Sequence, residues 1–273
     1  MKLSQLSLSL SLSALVPAAL AANNWIVSGV PWYDNNGKII QAHGGGIRKE
    51  GDTFWWVGED KTGNTGSFQN GFHLYSSTDL ANWTDQGIIL KASSDTDSPI
   101  GPDKVGERPK IIYNEQTKTY VLWFHSEDSG YALANVGVAT APDIKGPYTF
   151  KASWRPLGTE SRDMSVYVDD DQKGYLVWAT NNNAELTSAQ LTDDYTNVTG
   201  SRLWTFNARW EGSGIAKRNN QYNLFLSHQS GWAPNADVVF QSNTVKGPWA
   251  GPSDIAPTDS NTYSSQVSSS AAK

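Results

Sequence analysis

Apolar and polar positions alternate in short runs along most of the chain, a pattern typical of β-strands rather than helices. Four times, an ionisable residue precedes an apolar strand, a polar turn and a second strand, followed by a second hairpin. These units open at His43, Glu107, Asp163 and Glu211, and successive openings lie 64, 56 and 48 residues apart. A repeat of this length built only of short strands predicts a β-propeller with one four-stranded blade per unit.

The second hairpins of the units support the same architecture. Each contains a strand, a turn and a return strand, which completes four strands per blade. They cover residues 71–87, 135–150, 185–200 and 236–251.

A fifth opening is indicated at Gln266, 55 residues after Glu211 and seven residues before the last residue, Lys273. We therefore predict an all-β, five-bladed propeller whose fifth blade is truncated at the C-terminus.

The N-terminus has the layout of a secretory signal peptide over residues 1–22. Lys2 precedes an apolar stretch, and Ala19-Leu20-Ala21 forms a small-residue cleavage site. We expect a secreted, extracellular protein whose propeller domain covers residues 23–273, without a membrane span.

Composition narrows the range of partners. The net charge of −6 and the lack of a basic stretch argue against nucleic acid or an anionic membrane and favour a neutral ligand. The 12 tryptophans are consistent with either strand packing or stacking on sugar faces. Two triplets that open at Asn82 and Asn197 fit N-glycosylation, and the absence of cysteine excludes a stabilising disulfide.

Three of the four opening residues are acids at the same register: Glu107, Asp163 and Glu211. Brought to one axis, they form a carboxylate cluster, which is the chemistry that glycoside hydrolysis requires. A carboxylate beside the acid raises the pKa of that acid, because adjacent like charges resist joint ionisation. The alternative is that each is a solvated turn residue.

Several segments together resemble glycoside hydrolase family 43, and within it the exo-β-1,3-galactanase branch. The resemblance covers about residues 24–266 and implies a five-bladed propeller that hydrolyses β-1,3-galactan with inversion. The matching segments are AHGGGI (42–47), FWWVGEDK (54–61), GERPKIIYN (106–114), SRDMSVYVDDD (161–171), WEGSGI (210–215) and SHQSGWAPN (227–235).

Catalytic roles follow from the resemblance. It makes Glu211 the general acid, Asp163 the carboxylate that raises the acid's pKa and orients it, and Glu107 a ligand for a sugar hydroxyl. Most of the family has an Asp base in the first blade, where this chain has His43. The galactanase branch shares this departure, and there the glutamine that matches Gln266 is the suspected water-positioning group.

Further sugar contacts are expected on loops at the same end of the propeller. Glu59 is either a second carboxylate at the pocket mouth or a charged hairpin end. The resemblance suggests four loop residues as substrate contacts: Tyr131, Asn182, Ser230 and Trp232. The alternative is that these side chains serve only in packing. The four histidines include no close pair typical of a metal site, so we expect neither metal nor cofactor.

The leading interpretation is a monomeric glycosidase that acts on the β-1,3-galactan of arabinogalactans. An arabinofuranosidase or xylosidase of the same family is a second possibility, although the absent first-blade Asp argues against it. A sugar-binding propeller without catalysis is a third, motivated by the short fifth blade.

Overall fold

The computed structural model describes residues 25–27, 29–63, 66–231 and 233–268, so the predicted signal peptide lies outside the described residues. Within these ranges, sixteen strands form four antiparallel four-stranded sheets. The strands of each sheet follow one another in chain order. This meander is the blade of a propeller, and the prediction of an all-β propeller is confirmed.

Each blade takes four consecutive strands. Blade one contains β1 (His43–Glu50), β2 (Thr53–Glu59), β3 (Phe72–Ser77) and β4 (Thr84–Leu90). Blade two contains β5 (Val105–Asn114), β6 (Thr119–Glu127), β7 (Asn135–Ala141) and β8 (Thr149–Trp154). Blade three contains β9 (Met164–Val168), β10 (Gly174–Thr180), β11 (Glu185–Gln190) and β12 (Trp204–Phe206). Blade four contains β13 (Trp210–Arg218), β14 (Gln221–His228), β15 (Val238–Ser242) and β16 (Ala250–Asp254).

Helical structure is confined to short turns in the described part of the chain. Three are 3₁₀ turns, and one further turn follows the last of them; none is long and apolar enough to cross a membrane. Their bounds are Phe68–Asn70, Pro156–Gly158, Thr258–Ser260 and Asn261–Ser264.

The number of blades differs from the prediction. The described residues form four blades rather than five, and Gln266 lies in an irregular segment instead of opening a fifth inner strand. In this segment the Val267 backbone N–H donates to Ser227 Oγ at 2.9 Å, and Ser268 Oγ donates to the Gly45 carbonyl at 2.6 Å. The spacing of the strands thus predicted that this segment reaches the axis, but it did not predict the conformation of the segment. The two hydrogen bonds join the segment to blades four and one without a strand ladder.

The cores lie between successive blades because side chains alternate across each strand. In β6, Leu122 and Phe124 pack between blades one and two, while Trp123 packs between blades two and three. Between blades three and four, Val177 packs with Leu224. All five side chains are fully buried, so the stacked blades hold the inner strands in fixed positions.

A β-bulge follows the opening residue in three of the four inner strands. The strand pairing shifts between His43 and Gly46, between Glu107 and Lys110, and between Glu211 and Gly214. A bulge bends a strand and re-aims its side chains.

The residue after each of these openings has a positive φ. The values are 58° at Gly44, 56° at Arg108 and 59° at Gly212. Glycine adopts this conformation readily, but Arg108 is strained by it. The repeated bulge turns the opening side chains toward the axis.

Candidate active site

Asp163 and Glu211 come together where the inner strands of blades three and four meet. The backbone N–H of Gly212 donates to Asp163 Oδ2 at 3.1 Å, which holds the Asp163 carboxylate next to the bulge that carries Glu211. Partial burial and the charge of Asp163 raise the pKa of Glu211 to about 7, against the opposing effects of Arg108 and Gln266. Glu211 therefore retains its proton to near neutral pH.

Arg108 connects this pair to the C-terminal segment. Its Nε lies 3.1 Å from Asp163 Oδ1, and its Nη2 lies 2.7 Å from Asp163 Oδ2. The same guanidinium donates from Nη1 to the Val267 carbonyl at 3.1 Å and from Nη2 to Gln266 Oε1 at 2.8 Å. Gln266 in turn donates from Nε2 to Glu211 Oε1 at 2.8 Å. Arg108 thus positions both the Asp163 carboxylate and the Gln266 amide next to Glu211.

Glu107 belongs to a second ionic group, in blade two. Its Oε2 lies 3.0 Å from Nδ1 of the buried His125, and its Oε1 accepts from the Tyr131 hydroxyl at 2.6 Å. Burial favours the neutral form of Glu107, but the bonds from His125 and Tyr131 and the His125 charge outweigh it and lower its pKa to about 2. Glu107 is therefore an ionised acceptor.

His125 is protonated between two carboxylates. Its Nε2 lies 3.3 Å from Oε2 of Glu127, which is fully buried and also accepts from the backbone N–H groups of Leu133 and Ala134. Burial opposes the charge on His125, yet hydrogen bonds to Glu107 and Glu127 raise its pKa to about 9. This connection ties the loop that carries Tyr131 to the Glu107 carboxylate.

Glu59 is buried at the axis rather than solvated at a hairpin end. Its Oε2 lies 2.7 Å from Lys61 Nζ and 3.4 Å from His43 Nδ1, and its Oε1 accepts the Arg108 backbone N–H at 3.0 Å. Gly44, which follows His43, has a φ of 58° that glycine adopts readily, and Glu59 Oε1 occupies the space where a side chain at this position would stand. The structure therefore brings Glu59, His43 and Arg108 together.

Two other predicted sugar contacts, Asn182 and Ser230, lie on loops beyond this group. The backbone N–H of Asn182 donates to Glu160 at 2.6 Å, and the Ser230 hydroxyl is bonded within its own loop to Ala233 and Asn235. These two loops are joined, because Gln229 Nε2 donates to the Asn183 carbonyl at 2.7 Å. Trp232 lies outside the described residues.

A metal site is not formed in the described ranges, where no group of three or more His, Cys, Asp or Glu side chains is arranged to hold an ion. One carboxyl, Glu211, is protonated near neutrality while another, Glu107, is ionised. A carboxyl that keeps its proton to near neutral pH is chemically suited to act as a general acid.

Sequence reasoning missed Arg108, His125 and Glu127. Arg108 stands next to Glu107 in the segment GERPK, and a charged residue just before an apolar strand was the available signal. His125 and Glu127 lie at the end of β6, where alternation directs both side chains to the face that carries Glu107.

The chain matches a known protein family over most of its length. The model of glycosyl hydrolases family 43 matches residues 34–271. The chain belongs to this family. The resemblance found in the sequence is thereby confirmed.

Solved family 43 structures extend the match to the galactanase branch. The chain is 44% identical to the exo-β-1,3-galactanase of Phanerochaete chrysosporium, solved with galactose, with a TM-score of 0.86 over 89% of this chain and 57% of that chain. It is 33% identical to the exo-β-1,3-galactanase of Clostridium thermocellum, with a TM-score of 0.80 over 89% of this chain and 54% of that chain. These matches confirm the resemblance to the galactanase branch.

A curated relative with a different activity in its name is less similar to this chain. The xylan 1,3-β-xylosidase of a Vibrio species is 26% identical over 71% of this chain and 38% of its own length. The chain thus spans between about a third and three fifths of these three relatives.

Proposed function

We propose that the chain is an exo-acting glycosidase that hydrolyses β-1,3-galactan with inversion and releases galactose. The observation that carries the proposal is the protonated Glu211, whose pKa of about 7 is raised by burial and by Asp163 at the propeller axis. The substrate rests on likeness to the Phanerochaete galactanase, which was solved with galactose and, as a Glu-to-Gln variant, with β-1,3-galactotriose.

Glu211 is the general acid of the proposed reaction. Water attacks the anomeric carbon, the bond from that carbon to the glycosidic oxygen breaks, and the Glu211 proton passes to the leaving oxygen. The attacking water gives up one proton on the opposite face, to solvent or to the imidic nitrogen of Gln266, and becomes the anomeric hydroxyl. Asp163 keeps that proton on Glu211 before the reaction, because its negative charge disfavours a second carboxylate nearby.

The water side of the reaction is assigned to Gln266, the fifth-blade residue of the sequence prediction. An amide is a poor base, so Gln266 holds the water by hydrogen bonds or acts through its imidic tautomer. In an inverting enzyme the acid and the water-side group stand about 6.5–9.5 Å apart on opposite faces of the sugar. Because Gln266 Nε2 lies 2.8 Å from Glu211, the amide must leave the acid when the sugar enters.

Glu107 is proposed as a sugar-hydroxyl ligand rather than a base. An efficient general base has a pKa near the working pH, whereas the pKa of Glu107 is lowered to about 2. Glu59 and Tyr131 are proposed to accept or donate bonds to the same sugar ring. Asn182, Ser230 and Trp232 complete the proposed sugar contacts from the outer loops.

The biological setting proposed is extracellular. The signal peptide predicted over residues 1–22 and the two glycosylation triplets support a secreted glycoprotein. The proposed substrate is the β-1,3-galactan main chain of arabinogalactans, and the protein is proposed to act on it as a monomer.

One experiment distinguishes this proposal from two alternatives. Similarity to a xylan 1,3-β-xylosidase and to an arabinoxylan arabinofuranohydrolase of Bacillus subtilis favours a pentosidase. The presence of His43 in place of the first-blade Asp argues against it. A sugar-binding propeller without catalysis agrees with the four described blades.

The test is to incubate the protein with β-1,3-galactotriose, β-1,3-galactan and aryl pentosides and to follow the products by NMR. We expect galactose that appears first as the α-anomer, and loss of release by roughly a hundredfold or more in Glu211→Gln. Pentose release would favour the pentosidase, and binding of the galactotriose without release would favour the sugar-binding propeller.

A further inference from the structure

The bulges of blades one and two leave four backbone carbonyls outside the strand pairing. Gly44 and Gly45 have no partner in the β1–β2 register, and Arg108 and Pro109 have none in the β5–β6 register. Buried carbonyls that lose a ladder partner require another donor.

Ser268 Oγ donates to one of them, the Gly45 carbonyl, and one lysine side chain reaches all four. Lys110 Nζ lies 2.9 Å from the Gly44 carbonyl and 3.3 Å from that of Gly45. It lies 3.2 Å from the carbonyl of Arg108 and 3.4 Å from that of Pro109. One ammonium group therefore joins the bulges of two blades.

The environment of Lys110 is unusual for a lysine. The residue is only 4% exposed, and no carboxylate of the described residues forms an ion pair with Nζ within 4.0 Å. Buried charges are normally paired with an opposite charge; here carbonyl dipoles take that part. Burial and the nearby Arg108 lower the pKa of Lys110 to about 7, and strongly shifted groups cluster at functional sites.

The residues that Lys110 joins are those that arrange the reacting groups. Gly44 follows His43 and lies against Glu59, and Arg108 binds both Asp163 and Gln266. A shift of the two bulges relative to each other would therefore move Arg108, and with it the groups around Glu211.

We propose that Lys110 is a positioning residue whose protonated form clamps the bulges of blades one and two, so that Arg108 holds the Asp163 carboxylate beside Glu211 and stays bonded to the segment that carries Gln266. The inference rests on the proposed glycosidase function for its kinetic consequence. The clamp itself is a property of the fold.

The first test replaces the charge but keeps the length of the side chain. Lys110→Met is compared with Lys151→Met, a matched control on the exposed outer strand β8. With β-1,3-galactotriose as substrate, we expect kcat of Lys110→Met to fall roughly tenfold to a hundredfold, as for misplaced catalytic groups, while KM changes much less. Unchanged kcat in a folded Lys110→Met would overturn the proposal, and so would an insoluble variant, since a requirement for folding is not positioning.

The second test restores the cation. Lys110→Ala leaves room for methylammonium, which has three N–H donors, but not for tetramethylammonium, which has none and serves as the ionic-strength control. We expect methylammonium alone to raise both the thermal midpoint and the rate of Lys110→Ala in a saturable manner, with no effect on Lys151→Met. Equal responses to the two salts would refute the clamp.

The two readouts separate this inference from the proposed function. If the wild-type protein released no galactose, the proposed function would be wrong, while the thermal response of Lys110→Ala to methylammonium would still decide whether the cation site exists.

Discussion

The side-chain amide of Gln266 donates to Oε1 of Glu211 at 2.8 Å. The orientation of this amide is fixed by Arg108, because a guanidinium has only donors and must face the amide oxygen. The NH₂ group of Gln266 is therefore the part directed at Glu211. A hydrogen bond donated to a carboxyl favours its ionised form, so Gln266 moderates the pKa that burial and Asp163 raise.

Gln266→Ala is expected to change the pH profile and the rate in different ways. Loss of the donated bond raises the pKa of Glu211, so the alkaline limb of kcat/KM, which reports the free enzyme, moves to higher pH. Loss of the water-side amide lowers kcat by roughly a hundredfold or more. Steady-state kinetics from pH 4 to 9 measure both, and unchanged kcat would assign the water to another residue.

Asp163→Asn is expected to shift the same limb in the opposite direction. Without the Asp163 charge, and with Arg108 no longer neutralised by it, Glu211 ionises at lower pH. The acid form is then depleted at neutral pH, and kcat/KM at pH 7 falls while activity near pH 4 is affected less. The exposed Asp97, in the loop after β4, provides the control variant Asp97→Asn, whose profile should match that of the wild type.

The parts of this fold that were predictable are those governed by local repetition. Strand alternation and the spacing of His43, Glu107, Asp163 and Glu211 give the blades and place these residues at the axis, because each blade repeats the same register. The count of five blades was wrong for the described residues. The repeat register predicts the position of Gln266 near the axis. It does not predict whether the segment around Gln266 pairs as a strand, because pairing depends on neighbouring strands that the register does not specify.

The charge network of the site was less predictable, since it depends on contacts across blades. Arg108 reaches Asp163 in another blade and Gln266 far along the chain. Its positive φ, which aims the side chain at the axis, is a property of the bulge that the residue sequence GERPK does not reveal. In the sequence, Lys110 is a charge within an apolar strand, and its contacts with the carbonyls of two bulges explain its burial.

Arg108→Lys tests whether the shape of the guanidinium matters as well as its charge. Lysine keeps the positive charge but presents a single point donor in place of a rigid fork, so it cannot hold Asp163, Gln266 and Val267 together. We expect kcat/KM for β-1,3-galactotriose to fall by roughly tenfold to a hundredfold. Arg202→Lys, at a partly exposed ion pair with Glu185, is the control and should retain activity; retention by Arg108→Lys would show that charge alone suffices.

Glu211→Gln is expected to stabilise the protein at alkaline pH while it lowers turnover by roughly a hundredfold or more. The pKa of Glu211 is about 7 in the folded protein and near the ordinary value of 4.5 when unfolded. The folded state therefore binds more protons between these values, and stability decreases as pH rises from 4.5 to 7. Gln does not titrate, so Glu211→Gln should melt above the wild type at pH 8, by roughly 2–4 °C for each kcal/mol gained, and close to it at pH 4. Calorimetry at the two pH values, with the exposed Glu115→Gln as control, measures the difference. An equal midpoint shift at both pH values would contradict a raised pKa for Glu211 and remove the main support for its role as the acid.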